Sequence, residues 1–521
     1  AVTQISAGAI DLYATALASP AQIEPVAEAG LNSTTEYGGY YEVTINPAEY
    51  EDGTLNPFSI AEVREAMHWL IDRHFIVQEI YGGNASAKWF PLNANFPDYA
   101  KYVDIARPLE AEYGYDFDRA EAAIADALTA AGAELVDGVW SVDGEPLNVI
   151  FLIRTDGDGT RHTMGDYIAN QLEDVGFMVT RQYGTSSELS PFWVQSDPAG
   201  ASWTLYTGGW LSTTVSRNAG PGFHQMYSPD GLAGLPLWES YRASISDDFY
   251  QVLDDLLNSN YADAEERREK FASAMELMFE HSYRVMLVDQ ASRAPYAPNV
   301  EVAYNLANGA IGNALTPFTL RFAGEEGGTL NYAASDLFVE PANPIGGSNW
   351  VYDAMWQNPT SDVGVHTNPH TGIALPQRIA SATVVAQSDL PIVQTYDWVT
   401  LEFADEITVP AETWIDWDPA TETFITVGDA HPDGLTALVK STVTYADDIY
   451  DTTWHDGSPF SAADIVMNIS MTFAPGTEGS AVFDESAVGS LNAFKSSFRG
   501  FAIESVDPLV VSVYTDNWTE D

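Results

Sequence analysis

TTWHDGSPFSAADIV, residues 452–466, places a histidine, an aspartate and a serine within a few positions, the residue types of a hydrolytic triad. The local chemistry points elsewhere. Asp456-Gly457 is a turn dipeptide, Pro459 cannot continue a central strand, and Ser461 followed by Asp464 is a helix-start signature ahead of the apolar run IVMNISMTF. A serine that caps a helix has its hydroxyl engaged, and the adjacency of His455 and Asp456 in the chain does not assemble a triad. The stretch reads as strand, turn, helix.

Composition sets the outer bounds. The 521 residues are 45% apolar and 18% charged, a globular profile with length for several domains. Against 75 acidic residues stand 21 basic ones, a net charge of −54. That field repels phosphate backbones and anionic headgroups, so nucleic acid is excluded as a partner, and the surface suits a protein outside the cell or one in screening salt. The absence of cysteine removes disulfides, thiolate chemistry and Cys-ligated zinc. No apolar run is long enough to span a membrane and no export signal is present; a start at Ala1 rather than Met is expected of a processed or excerpted chain.

Helical and strand-like periods alternate through the first 320 residues, which predicts an α/β layout. Ser59 with Glu62 forms a capping-box pattern, after which Val63, Met67, Leu70, Ile71 and Phe75 recur on one face until Gly82-Gly83. A second helix is predicted from Asp118, with Glu121, through Ile124 and Leu128 to Gly132. Asp143-Gly144 reads as a hairpin turn, residues 160–175 as a helix, 177–183 as a strand, and 265–279 as a helix leading into the strand RVMLVDQ. The stretch AGEEGGTLNY (323–332) marks a boundary, giving domains 1–324 and 325–521. Beyond it Thr, Val, Trp and Asp dominate and the chain becomes β-rich.

The opening stretch closely resembles the Trp-His-Asp-Gly-x-Pro-Phe-x-Ala-x-Asp-Val signature of the family 5 extracellular solute-binding proteins of ABC importers, here Trp454, His455, Asp456, Gly457, Pro459, Phe460, Ala462, Asp464 and Ile465. Residues 63–83, 113–132, the GEPLNVIFLI run, the segment ending GFMVTRQY and ISAGAIDLY (5–13) resemble later elements of the same family, in its own order. GTLNYA, TGIALPQRIASATV (371–384) and the signature resemble its beginning, so a later part precedes an earlier one. An excerpt of a tandem or enlarged protein, a permuted protein, and a gene model cut at both ends all fit this order, and the excerpt is the reading adopted here.

The resemblance implies a periplasmic-binding-protein-like type II fold in which two α/β lobes close on a solute. It also implies ABC permease subunits as partners, an extracytoplasmic location, and membrane attachment only through an anchor or permease outside this chain. No catalytic residue, metal or cofactor is expected.

Three places could carry a ligand. YTGGWLSTTVS (206–216) is similar to the family's Gly-Trp segment, making Trp210 a cleft wall or else a core tryptophan; Leu211, Ser212, Thr213 and Thr214 stand where peptide binders often carry an amine-pairing Asp. In GGSNWVYDAMW (346–356), Asn349, Trp350 and Tyr352 combine an amide with stacking surfaces suited to a peptide or a sugar, or else to helix-start packing. TDGDGTRHTMGD (155–166) offers Asp156, Asp158, His162 and Asp166 but lacks calcium-loop spacing and reads as a polar turn before a helix, and HTNPHTG (366–372) reads as a loop.

The expected function is non-catalytic binding of a peptide-like or other small organic solute. The alternatives are a carbohydrate-active hydrolase using an acid pair such as Asp405-Glu406 or Asp447-Asp448, and a surface scaffold with a solute-binding fold.

Overall fold

Strand-forming runs rich in Val, Ile and Tyr organise the first part of the chain into one six-stranded mixed sheet. The computed structural model describes residues 1–232, 235–310, 313–334, 357 and 360–520. The sheet comprises β1 (Gly39–Ile45), β2 (Ala85–Ala87), β3 (Asn148–Arg154), β4 (Met178–Gly184), β5 (Leu205–Leu211) and β6 (Arg284–Gln290), in the spatial order β2-β6-β1-β5-β3-β4. β3 runs parallel to both β4 and β5, whereas β1 is antiparallel to β5 and β6. Every residue of β6 is buried, as a strand covered on both faces requires. The expected α/β class is what the structure shows.

Helices α1 (Ala61–Leu70), α2 (Phe117–Ala130), α3 (Thr160–Asp174), α4 (Asp247–Asn258) and α5 (Ala264–His281) pack around this sheet. α1 lies on α2, burying Val63, Met67 and Leu70 against Ile124 and Leu128. Each such large apolar side chain is worth about 1.5–3 kcal/mol when fully buried. The hairpin turn is formed, with Asp143 and Gly144 at φ of 52° and 84°, the left-handed pair that a two-residue turn of this kind needs.

The start of α1 differs from the sequence expectation. Pro57 opens a single 3-10 turn, Pro57–Ser59, so the cap moves upstream to Asn56, whose side chain accepts from the Phe58 N–H at 3.0 Å. The Ser59 hydroxyl donates instead to the Asn56 carbonyl, and the Ser59–Glu62 box is not made. Nor does the helix continue to Phe75: Ile71 is extended, and Asp72 caps a fresh turn through the N–H groups of His74 and Phe75. α2 likewise starts earlier than expected, capped by Asp116.

The second part forms a seven-stranded sheet from β7 (Ile379–Gln387), β8 (Val399–Ala404), β9 (Trp414–Asp418), β10 (Thr423–Thr426), β11 (Val439–Tyr445), β12 (Phe498–Val506) and β13 (Leu509–Thr515), ordered β8-β7-β11-β13-β12-β9-β10. Helix α6 (Ala462–Phe473) begins within the stretch 452–466. Its Ser461 cap accepts from the Ala463 N–H and forms a capping box with Asp464. Gly457 sits at φ 86°, and hydrogen bonds from the Ser458 hydroxyl and N–H hold the Asp456 carboxyl below its ordinary value. The turn and the helix read from the sequence are present, but in place of the expected strand only a single bridge pairs Thr453 with Pro459, after a 3-10 turn at Ile449–Asp451.

The fresh strand after the glycine-rich break, Tyr332–Ala333, pairs in parallel with Leu12–Tyr13 near the start of the chain, and Leu12 also pairs with Tyr296. Close by, Glu36 is 5% exposed, its Oε2 lies 2.4 Å from where a side chain at Gly309 would begin, and its Oε1 has no hydrogen-bond partner. Burial raises its carboxyl from 4.5 to about 8. The folded protein therefore keeps this proton between pH 4.5 and 8 while the unfolded chain has lost it, so stability falls as pH rises through that window, by up to about 1.4 kcal/mol per pH unit. Glu36→Gln is expected to match the parent near pH 4.5 and to exceed it by about 1 kcal/mol or more at pH 8 in urea unfolding; an unchanged difference across the two pH values contradicts this.

Candidate functional site

β5 is flanked by parallel β3 on one side and antiparallel β1 on the other, so the strand direction changes at its edge. The carboxyl ends of β3 and β5 and the amino end of α3 meet there, the place where open α/β sheets leave a crevice for ligands. Register puts Gly209 opposite Tyr41 and Trp210 opposite Tyr40. Since side chains alternate across a sheet, the two pairs serve opposite faces of the same strand end.

Trp210 is half-buried. Its indole N–H donates to Glu42 Oε1 at 3.1 Å, the Arg284 guanidinium lies 5.3 Å from its ring centre, and Trp238 meets it edge-on at 6.2 Å. Arg284 Nη1 and Glu42 Oε1 form a 2.7 Å ion pair with neither side chain exposed. Thr44 donates to the same oxygen, and Arg284 Nε donates to the Met226 carbonyl. This polar cluster explains Gly208, where a Cβ would fall 1.9 Å from Glu42 Oε1.

On the other face Arg161, second residue of α3, places its guanidinium carbon 4.5 Å from the centre of the Tyr41 ring. A Cβ at Gly209 would lie 2.8 Å from that ring and 3.0 Å from Arg161 Cζ, so both glycines of the YTGGW run are fixed by close approach. Arg161 Nε and Nη1 are buried and have no hydrogen-bond partner among the described residues. Asp156, close to it in sequence, is taken by Arg154, which also donates to the Tyr206 hydroxyl at 2.9 Å. Burial pushes Asp156 upward, but hydrogen bonds and charge from Arg154, with the charge of Arg161, hold its carboxyl below the ordinary value.

Asp158 accepts from the Thr160 N–H and hydroxyl, and the Tyr81 hydroxyl donates to Thr160 Oγ1. The segment 155–166 is therefore the polar turn and helix start expected of it. A strand end with an aromatic wall and an uncommitted guanidinium can hold a planar anionic group such as a carboxylate.

Asn349, Trp350 and Tyr352 lie outside the described residues. His366 is buried and His370 exposed, on either side of Pro369, whose carbonyl accepts from the Leu306 N–H. Asp405, Glu406, Asp447 and Asp448 are exposed. Among the described residues no group of three or more His, Cys, Asp or Glu side chains converges as a metal site would require. A cleft of about 620 Å³ is lined in part by Trp89, Tyr99, Arg107 and Glu110, but Glu110 is already bonded to Arg107 and Tyr99 at 2.7 and 2.6 Å.

Sequence reasoning missed Arg161, Tyr41 and Glu42. One signal was available: a basic residue in the first turn of a helix faces the positive end of the helix dipole, an unfavourable placement that asks for a reason.

Residues 1–231 match the family of bacterial extracellular solute-binding proteins, family 5, in its middle part, the family that the motifs resemble. No curated protein sequence matches the chain. Among solved structures it is similar to NikZ from Campylobacter jejuni in complex with Ni(L-His), at 16% identity over 57% of this chain and 54% of that one, TM-score 0.43. It is similar to the oligopeptide-binding protein AppA from Bacillus subtilis in complex with a nonapeptide, at 15% identity over 59% and 55%, TM-score 0.44. It is also similar to the mannohexaose-bound periplasmic oligopeptide-binding protein from Thermotoga maritima, at 19% identity over 58% and 54%, TM-score 0.45. The chain spans about half the length of these proteins.

Glu42→Gln leaves the Arg284 charge buried without its counter-charge. It is expected to cost about 3–5 kcal/mol in urea unfolding. A cost below about 1 kcal/mol, the range of an exposed pair, would contradict this account of the strand end.

Proposed function

We propose that the chain is the solute-binding component of an ABC importer, acting outside the cytoplasm and delivering its solute to permease subunits without catalysis. The solute is a peptide-like or other small organic molecule bearing an anionic group, held between two lobes at the carboxyl ends of β3 and β5. The observation that carries this reading is Arg161, a guanidinium with buried, uncommitted N–H donors in a chain of net charge −54. Burying polar groups without partners costs free energy, and a bound carboxylate would relieve that cost. The Tyr41 ring under Arg161 would supply the aromatic wall on that face, while Trp210 on the opposite face, its indole N–H held by Glu42, fixes the strand end before the solute arrives. The family match over residues 1–231 supports the same reading.

Closure would follow from differential affinity: a solute touching both lobes favours the closed arrangement and so shifts the population towards it. Saturating solute then raises stability by linkage, by about 2.7 kcal/mol at a hundredfold excess over its dissociation constant. The test is thermal unfolding with the tripeptide Ala-Ala-Ala and with its carboxyl-terminal amide. Ala-Ala-Ala is expected to raise the melting temperature, while the amide, or the Arg161→Gln variant, removes most of that rise. Equal shifts from acid and amide would sink the anionic reading, and no shift across a broad panel of peptides and organic acids would sink the binding reading.

A further inference from the structure

The loop 212–218, which continues β5 beyond Trp210, is held by the part of the chain after residue 360. Thr371 offers its carbonyl to Arg217 Nη1 at 3.4 Å. Gly372, at φ 73°, approaches so closely that a Cβ there would lie 2.5 Å from the Val215 carbonyl. Val215 itself is buried with Phe96 and Ala307. At the far end of the loop, Asn218 Oδ1 accepts from Arg267 Nη2 at 3.1 Å.

Arg267 is 4% exposed and serves both parts of the molecule. Besides Asn218, its guanidinium donates to the Tyr102 hydroxyl, lies 3.9 Å from Asp98 Oδ2, and lies 3.5 Å from Glu520 Oε2 in the tail that follows β13. Asp98 Oδ2 in turn accepts from the Ala219 N–H at 2.6 Å. The tail is seated by Trp518, which is 7% exposed, packs edge-on to Tyr261 at 5.3 Å, and accepts at its carbonyl from the Ser259 hydroxyl at 3.1 Å. One buried guanidinium is thus shared between the loop beyond Trp210 and the tail of the second part.

We propose that Arg267 is a positioning residue that couples the seating of residues 516–520 to the conformation of residues 212–218, so that docking of the second part and the shape of the solute site are set together. This rests on the reading of the Trp210 strand end as a solute site. The physical warrant is charge compensation. If the tail leaves, Arg267 loses the Glu520 carboxylate and must draw more strongly on Asp98 and Asn218, and the loop moves with it. If a solute orders the loop, Arg267 is held where Glu520 meets it, and the tail docks more tightly; by linkage the two effects are reciprocal.

Amide hydrogen exchange on the full chain tests this. Glu520→Gln and, independently, Gly372→Ala are expected to speed exchange across residues 212–218 by about tenfold while β3 and β6 keep their parental rates, as local opening requires. Arg242→Gln, at a surface pair remote from the loop in sequence, is the control. Ala-Ala-Ala is expected to slow exchange at residues 516–520 in the parent but not in Glu520→Gln. Unchanged rates at 212–218 in both variants, or a uniform rise over the whole first part, would overturn the coupling. A loop response in the variants without any effect of the tripeptide supports the coupling and counts against the solute reading alone, so the two ideas fail separately.

Discussion

The buried ion pair between Arg284 and Glu42 is the constraint around which the first sheet is arranged. Two charges with no solvent access are tolerable here because they meet each other, although Glu42 Oε2 and Arg284 Nη2 have no hydrogen-bond partner among the described residues. Here Arg284 comes from β6 and Glu42 from the neighbouring β1, so the pair ties adjacent strands at a fixed register. Thr44, the Met226 carbonyl and the faces of Trp210 and Trp238 complete the surroundings. The same carboxylate denies a side chain to residue 208 and anchors the indole of residue 210. The strand end therefore has one geometry, which a site built on it inherits.

The other deeply buried arginines show what a structural guanidinium looks like in this protein. Arg64 donates to the carbonyls of His281, Phe58 and Ser59, and Arg73 to those of Lys88, Met286 and His68. Each ties a helix or turn to chain that is distant in sequence. Arg161 departs from that pattern: it stacks on Tyr41 but commits neither Nε nor Nη1. In a chain with 75 acidic residues, leaving two buried N–H donors of a half-buried guanidinium unclaimed is the less expected outcome, and that gives the site its chemical character. Arg267 differs again, dividing its donors between segments far apart in sequence.

Local signals in the sequence were legible where the residues act on their immediate neighbours. Ser461 with Asp464 predicts a helix cap because the hydrogen bonds involved span three residues, and Asp143-Gly144 predicts a turn because its backbone angles are intrinsic to those residues. The same logic failed at Ser59 because Pro57 begins a tighter turn just before it, handing the cap to Asn56. It also overextended α1, which was expected to run until Gly82-Gly83 but ends at Leu70, since Asp72 offered a competing cap that periodicity does not register. Trp210 was legible from its Gly-Gly-Trp context as a wall or a core residue. Its half-buried position at a strand end, ringed by Glu42, Arg284 and Trp238, has features of both.

By itself the sequence determined the α/β class, the β-rich character of the second part, the turn-and-cap nature of residues 452–466 and the resemblance to a solute-binding family. Each follows from periodicity, turn chemistry or motif, all written in residues close together along the chain. Only the tertiary structure decided that Glu42 and Arg284, 242 residues apart, share a charge, that Arg161 keeps donors in hand, and that Arg267 spans the loop beyond Trp210 and the tail at Glu520. Those facts depend on which distant groups burial brings together, and the cost of leaving a charge without a partner is set only when the chain has closed around it.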